Sequence, residues 1–311
     1  MTTEKEIGDY RHAWIRAGDQ ALHAVEAGTE MGDSIVFIHG FPDFWFGWRH
    51  QITGLRENHH VIAYDQRGYN LSSKPTRTCD YDIDLLASDL ADVVRSKGSG
   101  HVTVVGHDWG GAVAWEFARR YPNLLSRLVI INCPPVHVLF SEQLRNPRQL
   151  RSSYYVYLFQ VPWFGELVLG RNNASAIGKL LSRMIPTITP AEIETYRRGL
   201  GSPGTLHAAI NYYRCAFRQA LPRMLRGEWR DYHVDVPVLV VWGIRDQALD
   251  VALTRHFAPI CPAGFTIKYI DAGHFVHQER PTIVNRILLT FVDEKERKEQ
   301  DFTRSTRIRR L

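Results

Sequence analysis

Residues 102–111 read Val-Thr-Val-Val-Gly-His-Asp-Trp-Gly-Gly. The run Val102–Gly106 is short, apolar and β-branched, the mark of a strand buried on both faces. Directly after the paired glycines comes AVAWEFARRYP, with helical spacing that ends near Pro122. A strand passing through a glycine-flanked turn into a helix leaves the central side chain, Asp108, exposed above the end of the sheet. The glycines let the backbone turn sharply and pack closely. This strand–turn–helix unit is a nucleophile elbow, with Asp where serine usually stands.

Similar short Val- and Ile-rich runs predict strands at Ile35–His39, Val61–Tyr64, Leu128–Asn132, Val238–Trp242 and Thr266–Ile270. Two earlier segments, Tyr10–Ala17 and Ala21–Ala27, alternate in polarity and predict an antiparallel lead-in hairpin turning at Gly18-Asp19. The rhythm then breaks: about a hundred residues separate Asn132 from the next clear strand at Val238. That interval reads as helical, punctuated by Pro162, Pro186, Pro190 and Pro203. The expected architecture is α/β, a mostly parallel eight-stranded sheet with an inserted helical cap. Its expected parts are a first core segment (1–134), the cap (135–233), a second core segment (234–293) and a basic C-terminal tail (294–311).

Two further residues complete a reactive set. Gly243-Ile244-Arg245-Asp246 follows one predicted strand, and Asp271-Ala272-Gly273-His274 follows the last. Nucleophile, acid, histidine is the chain order of α/β-hydrolases. Some relatives place the acid after the preceding strand, but Asn132-Cys133 stands there, which favours Asp246. His39 and His107 flank the site and read as structural turn residues.

The segments HGFPDFWFGWRHQ (39–51), YDQRGYNLSSKP (64–75), GHDWGG (106–111), WGIRDQAL (242–249) and AGHFVHQERP (272–281) together resemble the epoxide hydrolases of the α/β-hydrolase superfamily. The resemblance runs from Ile35 to Pro281. Within the cap, YYVYLFQ (154–160) and NYYR (211–214) are similar to the two family segments that present epoxide-activating tyrosines. The match falls on Tyr155 and Tyr213, with Tyr154 and Tyr157 left open as alternatives for the first.

The resemblance implies a covalent reaction with no organic cofactor and no metal. An aspartate is ionised at neutral pH and attacks carbon without help from a base. His274 would then activate the water that hydrolyses the alkyl ester on Asp108, with Asp246 orienting the ring. Backbone N–H groups of Phe41 and Trp109 occupy the two positions expected of an oxyanion hole. The departing alkoxide needs proton donors, which the tyrosines supply. A halide wants N–H donors instead, and haloalkane dehalogenases tend to carry Asn where this chain has Phe41. The rival readings are a haloalkane or haloacid dehalogenase, which would share Asp108, Asp246 and His274, and a non-catalytic ligand-binding relative.

Composition narrows the partners. With 311 residues, 44% hydrophobic and 23% charged, the chain reads as a soluble globular protein. The start, MTTEKEIGDYRHAW, has no apolar signal region, and the longest apolar run, Val236–Ile244, is far too short to span a membrane. A cytoplasmic location is expected. The four cysteines are scattered without metal-ligand spacing. Residues 294–311 hold seven Lys/Arg against four Asp/Glu, so +3 of the net +5 sits in the tail. No nucleic-acid motif accompanies it, and a solvated terminus is the expectation. The expected partners are a small hydrophobic epoxide and water; homodimer formation is left open.

Overall fold

The computed structural model describes residues 10–29, 33–97 and 102–293. The tail at 294–311 lies outside them. Eight strands form one sheet in the order β1-β2-β4-β3-β5-β6-β7-β8. They are β1 (Arg11–Ala17), β2 (Gln20–Ala27), β3 (Ser34–Ile38), β4 (His60–Tyr64), β5 (Val102–His107), β6 (Arg127–Ile131), β7 (Val238–Gly243) and β8 (Phe265–Ile270). The predicted hairpin is present: β1 pairs antiparallel with β2, and β2 with β4. All other neighbours are parallel.

Every residue of β5, β6 and β7 is buried, which is why their sequences are almost continuously apolar. At the sheet edge, β8 has only Ile270 buried, and three of its six residues are exposed. Its sequence FTIKYI carries the polar residues that an uncovered edge requires.

Helices α1 (Arg49–Leu55), α2 (Ile83–Arg95) and α3 (Trp109–Arg120) connect strands of the sheet. Between β6 and β7 lie six helices: α4 (Val136–Arg145), α5 (Pro147–Ser152), α6 (Tyr154–Leu158), α7 (Phe164–Met184), α8 (Pro190–Leu200) and α9 (Thr205–Leu225). Three of them begin at residues whose chemistry suits a helix start. Pro147 and Pro190 occupy the first helical turn, where a missing N–H costs nothing. Asn146 caps α5, and Thr189 forms a capping box with Glu192 on α8. Gly204, at φ +83°, opens α9. This insertion covers the C-terminal end of the parallel strands, where α/β proteins build their sites.

Candidate active site

Asp108 follows β5 and caps α3 with φ +50° and ψ −124°, a conformation costly for a residue with a side chain. The surroundings permit it by giving up side chains. A Cβ at Gly40 would strike the Asp108 carboxylate, and one at Gly110 would strike the Ile38 carbonyl. The elbow therefore packs directly on the turn after β3. The Phe41-Pro42 bond in that turn is cis.

The two carboxylate oxygens of Asp108 have different partners. Oδ1 accepts the Phe41 N–H at 2.7 Å. Oδ2 lies 3.5 Å from His274 Nε2. Trp109 is the first residue of α3, so its N–H has no carbonyl to bond within the helix. The positive end of the helix dipole also falls on Asp108. Burial alone would raise the Asp108 carboxyl, but the imidazole of His274 and the Phe41 N–H outweigh it and hold the group below its ordinary value.

On its other side, His274 Nδ1 meets Asp246 Oδ2 at 2.7 Å. Asp246 is itself fixed. Its Oδ1 accepts the N–H groups of Ala248 and Leu249, and Oδ2 accepts the Asn132 amide at 2.6 Å. Asn132, at φ +45°, also accepts the Gly243 N–H. Asn132 is not an acid, so its type gave no sign of a role in the reactive set. Its place after β6, the alternative acid position, was the signal that it touches the site. His39 lies in the turn after β3, as read, but His107 is the last residue of β5. His107 Nε2 bonds the His274 carbonyl at 3.0 Å, and His39 Nε2 accepts the Gln66 N–H.

Burial pulls the His274 imidazolium down, but Asp246 and Asp108 together push its pKa from 6.5 up to about 10. A group raised on folding stabilises the fold fully below its unfolded pKa, and the contribution is lost as pH climbs through the folded value. The gap in unfolding midpoint between the native chain and H274Q is therefore expected to be widest below pH 6.5 and to close toward pH 10. Thermal or urea denaturation across that range measures it. A gap independent of pH would mean that the ring is not held as imidazolium.

Asp108 and Trp109 form the floor of a cavity of ≈ 700 Å³, counting the space at its open mouth. Tyr155 from α6 and Tyr213 from α9 stand in its wall with ring centroids 5.7 Å apart. Burial, and next the Asp108 charge, raises both phenols well above their ordinary value, so both are protonated donors. Tyr154 is 63% exposed, and Tyr157 is exposed against Phe217. Tyr212, beside Tyr213, donates to the Arg67 carbonyl at 2.7 Å. Trp45 and Trp48 are core residues outside the cavity wall, and Trp163 is exposed.

One buried cluster has the composition of a metal centre: Asp43, His107 and His277, with candidate ligand atoms within 4.8 Å of one another. Asp43 is already engaged by the Phe44 N–H and the Gln278 amide. Burial raises its carboxyl to about 7.

The elbow, the sheet order and the helical insertion define an α/β hydrolase. The model of the alpha/beta hydrolase fold family matches residues 33–281, and the chain belongs to that family. Within it, the chain is related to epoxide hydrolases over most of its length. Epoxide hydrolase 4 of Homo sapiens is 33% identical, over 92% of this chain and 80% of that protein. The AB hydrolase superfamily protein YfhM of Bacillus subtilis (strain 168) is 37% identical, over 90% of this chain and 96% of that protein. A Bacillus megaterium epoxide hydrolase, solved with an inhibitor, superposes with a TM-score of 0.81 at 28% identity, over 90% of this chain and 100% of that one. No helix among the described residues is long and apolar enough to cross a membrane.

Proposed function

We propose that this protein hydrolyses epoxides to vicinal diols through an ester on Asp108, with residues 135–233 acting as the cap that supplies the proton donors. The observation that carries the reading is a pair of phenols, Tyr213 buried and Tyr155 partly buried, that line one largely apolar cavity together with Asp108. A carboxylate opposite two neutral O–H donors suits a substrate whose carbon is attacked while its oxygen takes a proton.

Oδ2 is the attacking atom, because Oδ1 is tied to the Phe41 N–H. The Oδ2–carbon bond forms as the ring carbon–oxygen bond breaks, and the ring oxygen takes a phenol proton. Attack also neutralises Asp108. The charge that helped raise both phenols then disappears, at the step that needs their protons. The same loss removes two of the supports of the His274 imidazolium. That ring yields its proton, which restores the phenol, and becomes a base for water. Water adds to the ester carbonyl, and negative charge develops on Oδ1, which already rests on an N–H donor. Removing such a donor typically costs about 2.7–4 kcal/mol in barrier. Collapse breaks the bond from the carbonyl carbon to Oδ2, and the leaving oxygen takes the remaining proton of the added water. The diol departs, the carboxylate returns carrying a water oxygen, and His274 keeps the other proton as imidazolium.

The origin of the oxygen tests this route. In a single turnover with enzyme in excess in ¹⁸O-water, the diol is expected to carry almost no label, since its new oxygen is Oδ2 of Asp108. Label then enters the carboxylate and appears in later turnovers. Full labelling in the first turnover would mean that water attacks the epoxide directly. Styrene oxide, a fatty-acid epoxide and a short aliphatic epoxide cover the substrate range. Halide release from a haloalkane without diol formation from any epoxide would select the dehalogenase reading.

A further inference from the structure

The outer face of the insertion is apolar where a solvated helix bundle should be polar. Between Tyr154 and Val168, eight large apolar side chains are exposed, led by Trp163 at 73% and Leu167 at 70%. Phe164, Leu167 and Val168 share one face of α7 by their spacing. On α9 the positions 207, 210, 214, 217, 221, 224 and 225 also share one face. Helix α7 covers the first part of it: Gly165 lies against Ile210, and Glu166 pairs with Arg214 at 2.6 Å and with His207 at 2.9 Å. Beyond the start of α7 that face is bare, and Phe217, Leu221, Met224 and Leu225 are exposed. Tyr157 packs edge-on against Phe217 and joins the two stripes. Phe217, exposed on that face, also lines the cavity over Asp108, so one side chain joins the cavity to the apolar face.

Charge identifies the occupant. Residues 135–233 hold thirteen Lys/Arg against six Asp/Glu, a net +7, whereas the whole chain is +5. The rest of the chain is therefore net −2. Arg151, Arg171 and Arg218, at the edges of the stripes, are exposed and make no ion pair among the described residues. A two-fold contact between copies would press two such basic caps together. An apolar face rimmed with free guanidinium groups is complementary to an anionic bilayer surface.

We infer that the cap docks through α6, the start of α7 and the end of α9 onto anionic membrane, and that lipophilic epoxides enter the cavity past Phe217 from the lipid. The docking stands apart from the chemistry; the delivery of epoxides rests on the function proposed above.

Flotation of the full chain with vesicles tests the docking without any substrate. Binding is expected to phosphatidylcholine vesicles containing phosphatidylglycerol, and little to phosphatidylcholine alone. A W163S/L167S/L225S variant, changed only at exposed positions, is expected to lose at least about tenfold in partitioning while keeping its melting temperature. R171Q and R218Q are each expected to weaken binding about fivefold and to reduce its salt dependence. R304Q/R307Q/R309Q/R310Q, which strips the tail, is expected to keep most of the binding. The inference is overturned by absence of binding to the anionic vesicles, by unchanged binding of the triple variant, or by loss of binding in the tail variant alone. A vesicle-free dimer that the triple variant converts to monomer would reassign the face to self-association. Docking without diol formation from any epoxide would remove the function and leave the docking intact.

Discussion

An H274Q variant mixed with epoxide is expected to stop after one alkylation and to accumulate protein heavier by one substrate mass. Gln keeps a polar side chain beside Asp246 but cannot take a proton from water. Attack by Asp108 Oδ2 needs no base, because an aspartate is ionised at neutral pH without one, and the Phe41 N–H on Oδ1 remains in the variant. Hydrolysis does need one, and general-base catalysis typically contributes roughly 10²–10⁴ in rate. Turnover should fall by about that factor while the first alkylation stays within a few-fold of native. Intact-protein mass spectrometry followed by peptide mapping places the adduct, expected on Asp108. Normal turnover by H274Q would remove His274 from the mechanism.

The second large effect lies in the cap. Tyr155→Phe and Tyr213→Phe each delete one O–H and keep the ring that packs between α6 and α9. By analogy with oxyanion donors, each is expected to slow alkylation by roughly 10²–10³. The double variant is expected to be nearly inert but to fall by less than the product of the two. The rings are 5.7 Å apart, and in the proposed reaction they would share one oxygen, so their effects are not expected to add. Rapid-mixing measurement of the alkylation step separates this from hydrolysis. Tyr154→Phe and Tyr157→Phe are expected to behave as native, because those side chains face outward. Unchanged alkylation in both Tyr155→Phe and Tyr213→Phe would move the proton donors elsewhere.

Much of this arrangement is local and was therefore readable. Hydrophobic runs such as Val102–Gly106 declare buried parallel strands, because both faces of such a strand must be apolar. A glycine-bounded turn between strand and helix has few backbone solutions, so Asp108 announces itself. The order of Asp108, Asp246 and His274 follows from where successive strands end. The hundred-residue gap after β6 marked the helical insertion for the same reason: a strand pattern was missing from it.

The remainder depended on which surfaces meet. Five tyrosines crowd 154–157 and 212–213, the two matched positions among them, and a five-residue helix such as α6 has no periodicity that says which face looks inward. Packing of α6 on α9 turns Tyr155 toward Asp108 and leaves Tyr154 and Tyr157 outside. Asn132 and Asp246 lie more than a hundred residues apart, and only the pairing of β6 with β7 lets one amide hold the other's carboxylate. The bare stretch of α9 has the same origin. Its apolar stripe reads as an ordinary core face, and it is the point at which α7 begins that leaves the second half without a partner. Sequence determines what each segment can bury; tertiary structure decides what is there to bury it.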